Sequence, residues 1–330
     1  HNKHIMNNLF IGIMSGTSRD SLDACLVDFT DHFQIISTET LSFSANYKTS
    51  TEITEINTEI TNKSIEIIKN LLNKAGIKES DIFGVGFSGQ TISHNEEHSL
   101  QAGDPKKIAR STGINVFSDF RNKNIAEGGR GAPLIPDFHQ YIFSETEKRK
   151  LIVNIGGISN GTYLNGTKIA SASDIGPGNC LLDLVMTNLK LGDYDKDGEL
   201  ASKGVVNQSI KEELMFNFSN MSYPRADDIT AYTAPFMEKF VEYKEISVND
   251  LLRTLVEITA AKIAEYFEYC DNPDEIIFHG GGILNKTLME SITKNIKKNI
   301  KTTDHIVPSK YMECSAFAYL AFMDKGVLFK

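Results

Sequence analysis

The sequence lacks the features that would place the chain in a membrane or on a nucleic acid. No apolar run approaches the ~20 residues that span a bilayer, and the apolar stretch 9–14 is too short for a signal-peptide core. Lysine and arginine number 34 against 43 aspartates and glutamates, so the net charge of −9 leaves no basic excess for a phosphate backbone. We therefore expect a cytoplasmic protein that binds neither membranes nor nucleic acids.

Cysteine is scarce, and several catalytic signatures are missing. The four cysteines are far apart and include no C-x-x-C pair, which favours reduced thiols over a disulfide framework or a zinc site. No G-x-x-x-x-G-K-[ST] loop occurs, which excludes a P-loop enzyme. No G-x-S-x-G elbow occurs either, so His279 and the glycines after it do not indicate an esterase.

Two familiar motifs are present in the wrong context. Residues 84–89 fit G-x-G-x-x-G, but a dinucleotide fingerprint must open a helix, and residues 90–94 are a poor helix start. Residues 94–98 fit H-x-x-E-H, which binds zinc only when a helix presents both histidines. The residues around this motif alternate and turn, so we expect a polar surface loop there.

A repeated pattern divides the 330 residues into two halves. A buried strand, a glycine turn and further strands begin at residue 9 and again at residue 151. The length also exceeds one hydrophobic core. The sequence predicts an α/β fold of two duplicated domains, 6–140 and 141–330, around a central cleft, with Met6 as the expected native start. Helices are predicted at 51–75, 180–191, 234–243 and 248–269 and from residue 314.

Glycine-rich turns after predicted strands form the candidate nucleotide site. Glycine lets backbone N–H groups approach phosphate oxygens, and small hydroxyl residues add donors. The first turn would wrap the β- and γ-phosphates with Asp20 near a divalent cation, and the last would hold the nucleoside, although each also fits a structural turn. The candidate residues are Gly12, Ile13, Met14, Ser15, Gly16, Thr17, Ser18, Arg19, Asp20, Gly156, Gly157, Gly280, Gly281 and Gly282.

Asp174 is the candidate general base. It ends a predicted strand, and residues 176–178 turn the chain into the helix that starts at Cys180. A carboxylate at such a turn points into a cleft and suits proton abstraction. Asp174 would otherwise cap the helix, but Asn179 is better placed for that role.

These residues resemble the anhydro-N-acetylmuramic acid kinase family, within the sugar kinase, heat-shock ATPase and actin superfamily. The resemblance runs almost from end to end and rests on separate motifs in one order. They lie at 12–20, 89–91, 103–105, 118–121, 128–129, 131–134, 154–158, 176–179, 194–198 and 280–282, and at Glu313 ahead of residues 316–318.

The resemblance implies an actin-like ATPase fold and a kinase that uses ATP and Mg²⁺, and it suggests a homodimer. ATP would phosphorylate the 6-oxygen of 1,6-anhydro-N-acetylmuramic acid while water, deprotonated by Asp174, opens the anhydro bridge. The product would be N-acetylmuramic acid 6-phosphate, for peptidoglycan recycling. The resemblance implies that Arg121 pairs with the lactyl carboxylate of the sugar, a geometry that arginine suits. An ion pair at a domain interface would also explain an arginine at this position. The residues expected near the sugar are Gln90, Arg121, His139, Asn154 and Glu313.

The chain also departs from the family pattern. Residues 221–228, Met-Ser-Tyr-Pro-Arg-Ala-Asp-Asp, stand where the family has Pro-Pro-Lys-Ser-Thr-Gly-Arg-Glu. Single differences fall at Arg19, Ser21, Asn124, Arg130 and Ile175. Two alternatives stay open: an ordinary amino-sugar kinase without ring opening, and an ATP-binding sensor without catalysis.

Overall fold

The computed structural model of the chain describes residues 8–95, 97–219 and 221–330, so the expected start at Met6 lies outside it. The strands are β1 (Leu9–Ser15), β2 (Ser21–Asp28), β3 (Gln34–Ser42), β4 (Ile82–Phe87), β5 (Gln90–His94), β6 (Ser99–Ala102), β7 (Val116–Ser118), β8 (Arg149–Ile155), β9 (Ile158–Asn165), β10 (Lys168–Pro177), β11 (Glu275–His279), β12 (Lys301–Thr302) and β13 (Val327–Phe329). The helices are α1 (Ala45–Thr49), α2 (Ile53–Ala75), α3 (Pro105–Thr112), α4 (Phe120–Ala126), α5 (Pro136–Phe143), α6 (Cys180–Asn188), α7 (Glu199–Ser202), α8 (Gln208–Asn217), α9 (Thr230–Glu238), α10 (Phe240–Tyr243), α11 (Val248–Tyr269), α12 (Lys286–Ile296) and α13 (Met312–Phe322).

The first compact unit comprises residues 8–138 and 310–330. Its sheet has the strand order β13-β7-β4-β1-β2-β3, in which β1, β2 and β3 form an antiparallel meander and β4 and β7 continue in parallel. Ile11 and Ile13 of β1 share a core with Ile60 and Ile67 of α2. Since side chains alternate along a strand, Gly12 faces the other side of the sheet, where α13 packs.

The second compact unit comprises residues 139–309. Its sheet has the order β10-β9-β8-β11-β12, again an antiparallel meander followed by two parallel strands. A core built from α6, α11, α12 and the buried face of this sheet includes Val153, Val185, Ile258 and Ile292. Numbered within each unit, the first five strands of both sheets follow the order 3-2-1-4-5, which confirms the predicted duplication of an α/β unit.

The end of the chain belongs with the first unit. The sequence prediction assigned residues 141–330 to the second domain, whereas α13 packs on β1 and β4, and β13 pairs antiparallel with β7. Helix α13 is apolar on nearly its whole circumference, so it needs a sheet surface to cover it, and the glycines of β1 and β4 supply one. The repeat pattern carries no signal for this return of the chain.

Several local predictions can be compared with individual elements. The predicted helix at 51–75 is α2, which ends at Gly76 in the left-handed conformation (φ +66°). Strand β4 is followed by strand β5 rather than by a helix, so residues 84–89 are not a dinucleotide fingerprint. The predicted helix at 234–243 is two helices, α9 and α10, and it starts earlier, at Thr230. Among the described residues, no helix is both long enough and apolar enough to cross a bilayer.

Candidate active site

The turn between β1 and β2 is supported by a buried glutamine. Gln90 accepts hydrogen bonds at Oε1 from the Ser15 hydroxyl at 2.6 Å and the Tyr47 hydroxyl at 3.2 Å. Its Nε2 donates to the carbonyl oxygen of Gly16 at 3.3 Å, and the side chain is fully buried. Gln90 therefore fixes the start of the turn, while its predicted contact with the sugar stays a prediction.

The far side of the same turn is tied to α1. Arg19 has a left-handed backbone (φ +55°), uncommon outside glycine, and its Nη1 donates to the carbonyl oxygens of Ser50 at 2.8 Å and Tyr47 at 3.4 Å. Asp20 lies 2.7 Å from the Lys48 ammonium in a partly exposed ion pair. Such a pair contributes little stability, so it leaves Asp20 available to a competing cation.

The glycines of the first unit have two different roles. A Cβ on Gly12 would lie 1.8 Å from the carbonyl oxygen of Cys314 in α13, and one on Gly86 would lie 2.0 Å from that of Phe317. These two positions let α13 approach the sheet. At Gly16 the nearest non-adjacent atom would be 3.8 Å from an added Cβ, so this backbone is open to a ligand. The structure thus gives Gly12 a packing role and leaves Gly16 suited to a phosphate.

Two residues predicted near the sugar lie on other elements of the first unit. Arg121, in the first turn of α4, donates from Nη1 to the carbonyl oxygen of Gly131 at 2.9 Å. Asn124 accepts from the N–H of Gly131 at 2.8 Å, so both side chains hold the loop after α4. Glu313 lies half-buried in the first turn of α13.

The second glycine hairpin caps a helix. The carbonyl oxygen of Gly156 accepts from the N–H of Asn179 at 2.8 Å, and that of Gly157 accepts from Gly178 and Cys180 at 2.9 and 3.1 Å. These donors are the two residues just before α6 and its first residue, Cys180, and the N–H groups at a helix start need such partners. Asn179 occupies the N-cap position as predicted, but its side chain makes no capping hydrogen bond.

The glycine triplet after β11 lies against the end of β8. A Cβ on Gly280, whose φ is +91°, would lie 2.3 Å from Oδ1 of Asn154, and one on Gly282 would lie 2.2 Å from Cγ2 of Ile155. An added Cβ on Gly281 would meet nothing within 4 Å. The outer two glycines therefore serve close packing, and Gly281 provides the open surface on which a nucleoside could lie.

His139 and His279 form a buried pair that the sequence did not predict. Nδ1 of His139 lies 2.8 Å from the Thr162 hydroxyl. The Nε2 atoms of His139 and His279 lie 2.9 Å apart, and both rings are fully buried. Burial lowers the pKa of His279 to about 3, and burial with the neighbouring ring lowers the pKa of His139 well below its ordinary value. Both rings are therefore neutral, and His139 contacts interior groups of the second unit.

Acidification to pH 5 is expected to destabilise the protein through this pair. An unfolded histidine binds a proton below about pH 6.5, whereas buried His279 stays neutral to about pH 3. Because the unfolded chain binds the extra proton, His279 alone lowers the free energy of unfolding by about 2 kcal/mol at pH 5. Urea unfolding is measured at pH 7.5 and at pH 5. Between these two pH values, the free energy of unfolding of His279→Asn should fall by about 2 kcal/mol less than that of the wild type. The exposed His305→Asn control should behave as wild type, and an unchanged pH dependence in His279→Asn would contradict the expectation.

Asp174 lies near the end of β10, where a loop of the second unit contacts it. Its side chain is buried, and its Oδ2 accepts a hydrogen bond from the backbone N–H of Asp227 at 2.7 Å. Its own N–H donates to the carbonyl oxygen of Arg225 at 2.9 Å. The contacting loop belongs to residues 221–228, the segment that departs from the family pattern.

The predicted site residues thus fall into local groups within each unit. In the first unit, Gln90 lies against the turn at 15–20. In the second unit, Asn154 lies against the glycine triplet at 280–282, and the Gly156–Gly157 hairpin lies against residues 178–180, which follow Asp174. Sequence reasoning missed Tyr47, His279, Arg225, Asp227 and Tyr232. Only the departure at 221–228 pointed to any of them. No cluster of three or more His, Cys, Asp or Glu side chains suited to a metal occurs within the described ranges.

Comparisons with known proteins give the family and the fold. The family model described as anhydro-N-acetylmuramic acid kinase matches residues 8–326. The chain is 36% identical to the anhydro-N-acetylmuramic acid kinase of Shewanella sp. (strain MR-4) over 334 residues, 94% of this chain and 90% of that protein. It is 35% identical to that of Shewanella amazonensis (strain ATCC BAA-1098 / SB2B) over 336 residues, 95% and 91% of the two chains.

Two solved structures share the fold at 12% sequence identity. One is the activator of the 2-hydroxyisocaproyl-CoA dehydratase from Clostridium difficile with bound ADPNP, with a TM-score of 0.54 over 96% of this chain and 95% of that one. The other is component A of the Acidaminococcus fermentans (R)-2-hydroxyglutaryl-CoA dehydratase, with a TM-score of 0.53 over 96% and 99%. They confirm the predicted actin-like ATPase fold.

Proposed function

The chain belongs to the anhydro-N-acetylmuramic acid kinase family, and from this premise we propose that it opens and phosphorylates 1,6-anhydro-N-acetylmuramic acid at the expense of ATP. The product is N-acetylmuramic acid 6-phosphate, in peptidoglycan recycling. The observation that carries the proposal is the family match over residues 8–326, with a buried carboxylate, Asp174, near the end of β10. A cytoplasmic location and a homodimer stay predictions.

Asp174 acts in this proposal as the general base. Its carboxylate takes a proton from water, the water oxygen bonds to C1 of the sugar, and the bond between C1 and the 6-oxygen breaks. The electrons of that bond stay on the 6-oxygen, which then attacks the γ-phosphorus of ATP, so ADP leaves. A glycosidase would need a second carboxyl group to protonate the departing oxygen. Here the departing 6-oxygen bonds to the phosphoryl group instead of to a proton, so no second carboxyl group is needed.

The nucleotide is assigned to the open backbone of each unit. Gly16 and the residues up to Asp20 offer N–H and hydroxyl donors to the phosphates, and Gly281 offers an open surface to the nucleoside. Asp20 supplies one carboxylate, which fits Mg²⁺, because this ion often takes only one or two carboxylates beside phosphate oxygens and waters. When bound, Mg²⁺ supplies neutralisation of charge on the β- and γ-phosphates.

The sugar-binding assignment separates direct contacts from supporting ones. We assign direct contact to Arg121, for the lactyl carboxylate, and to Asn154 and Glu313. Gln90 and His139 are fully buried with polar atoms hydrogen bonded inside the protein, so we assign them to holding the walls of the site.

Isotope labelling tests the coupled reaction. With ATP and the anhydro sugar in ¹⁸O-labelled water, mass spectrometry should show a sugar phosphate that carries one labelled oxygen, because water attacks C1. A phosphorylated product without the label would contradict ring opening and favour an ordinary amino-sugar kinase. Bound ATP with no product would favour the non-catalytic sensor.

A further inference from the structure

A loop of the second unit pairs with the strand that carries the proposed base. We call residues 221–228 the Arg225 loop. The N–H of Arg225 donates to the Ser173 hydroxyl at 2.9 Å, and its carbonyl oxygen accepts from the N–H of Asp174 at 2.9 Å. Two residues on, the N–H of Asp227 donates to Oδ2 of Asp174 at 2.7 Å. One backbone donor of the loop therefore fixes one oxygen of the carboxylate.

The guanidinium of Arg225 holds the loop in this conformation. Its Nε donates to Oδ2 of Asp227 at 2.7 Å, its Nη1 donates to the carbonyl oxygen of Met221 at 3.0 Å, and its Nη2 donates to that of Ile175. The group also lies over the Tyr223 ring, 4.5 Å from the centroid. Three donors of one planar group thus connect both ends of the loop to β10, a geometry that a lysine ammonium does not reproduce.

A second residue, Tyr232, also holds the side chain of Asp227. The Tyr232 hydroxyl, on α9, donates to Oδ2 of Asp227, the same oxygen that Arg225 binds. The side chains of Arg225 and Asp227 are only 10% and 6% exposed. With its side chain held at this point, Asp227 keeps its backbone N–H directed at Asp174. The loop differs from the family pattern in this segment, so the arrangement is carried by this chain's own residues.

We infer that Arg225 is a positioning residue for Asp174, which acts through Asp227 to hold one carboxylate oxygen and so aim the other at the attacking water. The inference rests on the proposed function. It does not make Arg225 catalytic, because the guanidinium contacts only groups of the protein. A hydrogen bond to the charged form also favours ionised Asp174, which is the form a base requires.

The test uses two variants that keep every charge. Arg225→Lys removes the planar fork, and Tyr232→Phe removes one hydroxyl. The titratable and charged groups that surround this part of β10 are Tyr223, Arg225 and Asp227 in the loop, Tyr232 on α9, and Lys262, Glu265 and Tyr266 on α11, while β9 presents the neutral Asn160. None changes its charge in either variant, so an altered titration of Asp174 reports its hydrogen bonding.

Arg149→Lys is the matched control. Arg149 also bridges two carboxylates, those of Asp271 and Asp274. It is the first residue of β8, in the same sheet, and lies at the opposite end of the strands from Asp174. The carboxyl carbon of Asp174 is followed by ¹³C NMR, assigned with Asp174→Asn, and steady-state kinetics give kcat and KM. In Arg225→Lys we expect the pKa of Asp174 to rise by about one unit and kcat to fall about 10- to 100-fold, with KM for ATP within twofold. Tyr232→Phe should also raise the pKa of Asp174 and lower kcat, whereas Arg149→Lys should change neither quantity.

The outcomes separate this inference from the proposed function. Wild-type titration of Asp174 in both variants would overturn the inference, as would a fall in kcat without a titration shift, because Arg225 would then act elsewhere. If Arg225→Lys fails to fold, Tyr232→Phe decides by the same criteria. A titration shift in a protein that never phosphorylates the sugar would overturn the proposed function and leave the contact between loop and carboxylate in place.

Discussion

Asp174→Asn is expected to lower kcat by a factor of about 10² to 10⁴, the range attributed to a positioned general base. Asparagine has nearly the same size and keeps an oxygen that can accept the hydrogen bond from the N–H of Asp227. It cannot take a proton from water, so the loss falls on the chemical step. KM for ATP should stay within about twofold, because Asp174 has no assigned contact with the nucleotide.

A control at a second carboxylate separates loss of the base from loss of a carboxylate that only accepts a backbone hydrogen bond. Asp250 also accepts a backbone N–H at 2.7 Å, from Val205, in the same unit. Asp250→Asn should leave kcat unchanged. ATP binding by calorimetry and kcat with the anhydro sugar are the two measurements, and an Asp174→Asn variant that keeps most of its kcat would remove Asp174 from the mechanism.

Patterns between neighbours in sequence predicted the fold well. The strand and glycine-turn pattern at residues 9 and 151 corresponds to two sheets of the same strand order, because a hairpin and its strands are specified locally. The apolar spacing of α2 and the left-handed Gly76 that ends it are also local properties. For the same reason the residues after 84–89, which favour a strand, excluded a dinucleotide site from sequence alone.

Contacts between distant residues were beyond the sequence patterns. Glycines 12, 280 and 282 look the same in sequence as glycines 16 and 281, yet the first three lie against other backbone or side-chain atoms and the last two do not. The hydrogen bond between Asp227 and Asp174 spans 53 residues, so no spacing rule predicts it. The return of α13 to the first unit likewise depends on which sheet face is left uncovered.

Gly12→Ala is expected to lower the free energy of unfolding by about 3 kcal/mol, at the upper end of the cost of overpacking. The added Cβ would lie 1.8 Å from the carbonyl oxygen of Cys314 and 2.7 Å from the backbone nitrogen of Ala318, so α13 as a whole must move off β1. Side-chain rotation cannot relieve a clash with helix backbone. Urea unfolding followed by circular dichroism measures the effect.

Gly16→Ala, four residues further along the same hairpin, is expected to weaken ATP binding and to leave stability almost unchanged. Its Cβ would meet no non-adjacent atom within 3.8 Å, so the free energy of unfolding should change by less than about 1 kcal/mol. If the phosphates of ATP lie against this backbone, however, the methyl group occupies their place, and KM for ATP should rise about tenfold, or about 1.4 kcal/mol. An unchanged KM would remove Gly16 from the nucleotide site. A stable Gly12→Ala protein with weakened ATP binding would reverse the two roles, because it would place the phosphate at the position assigned to packing.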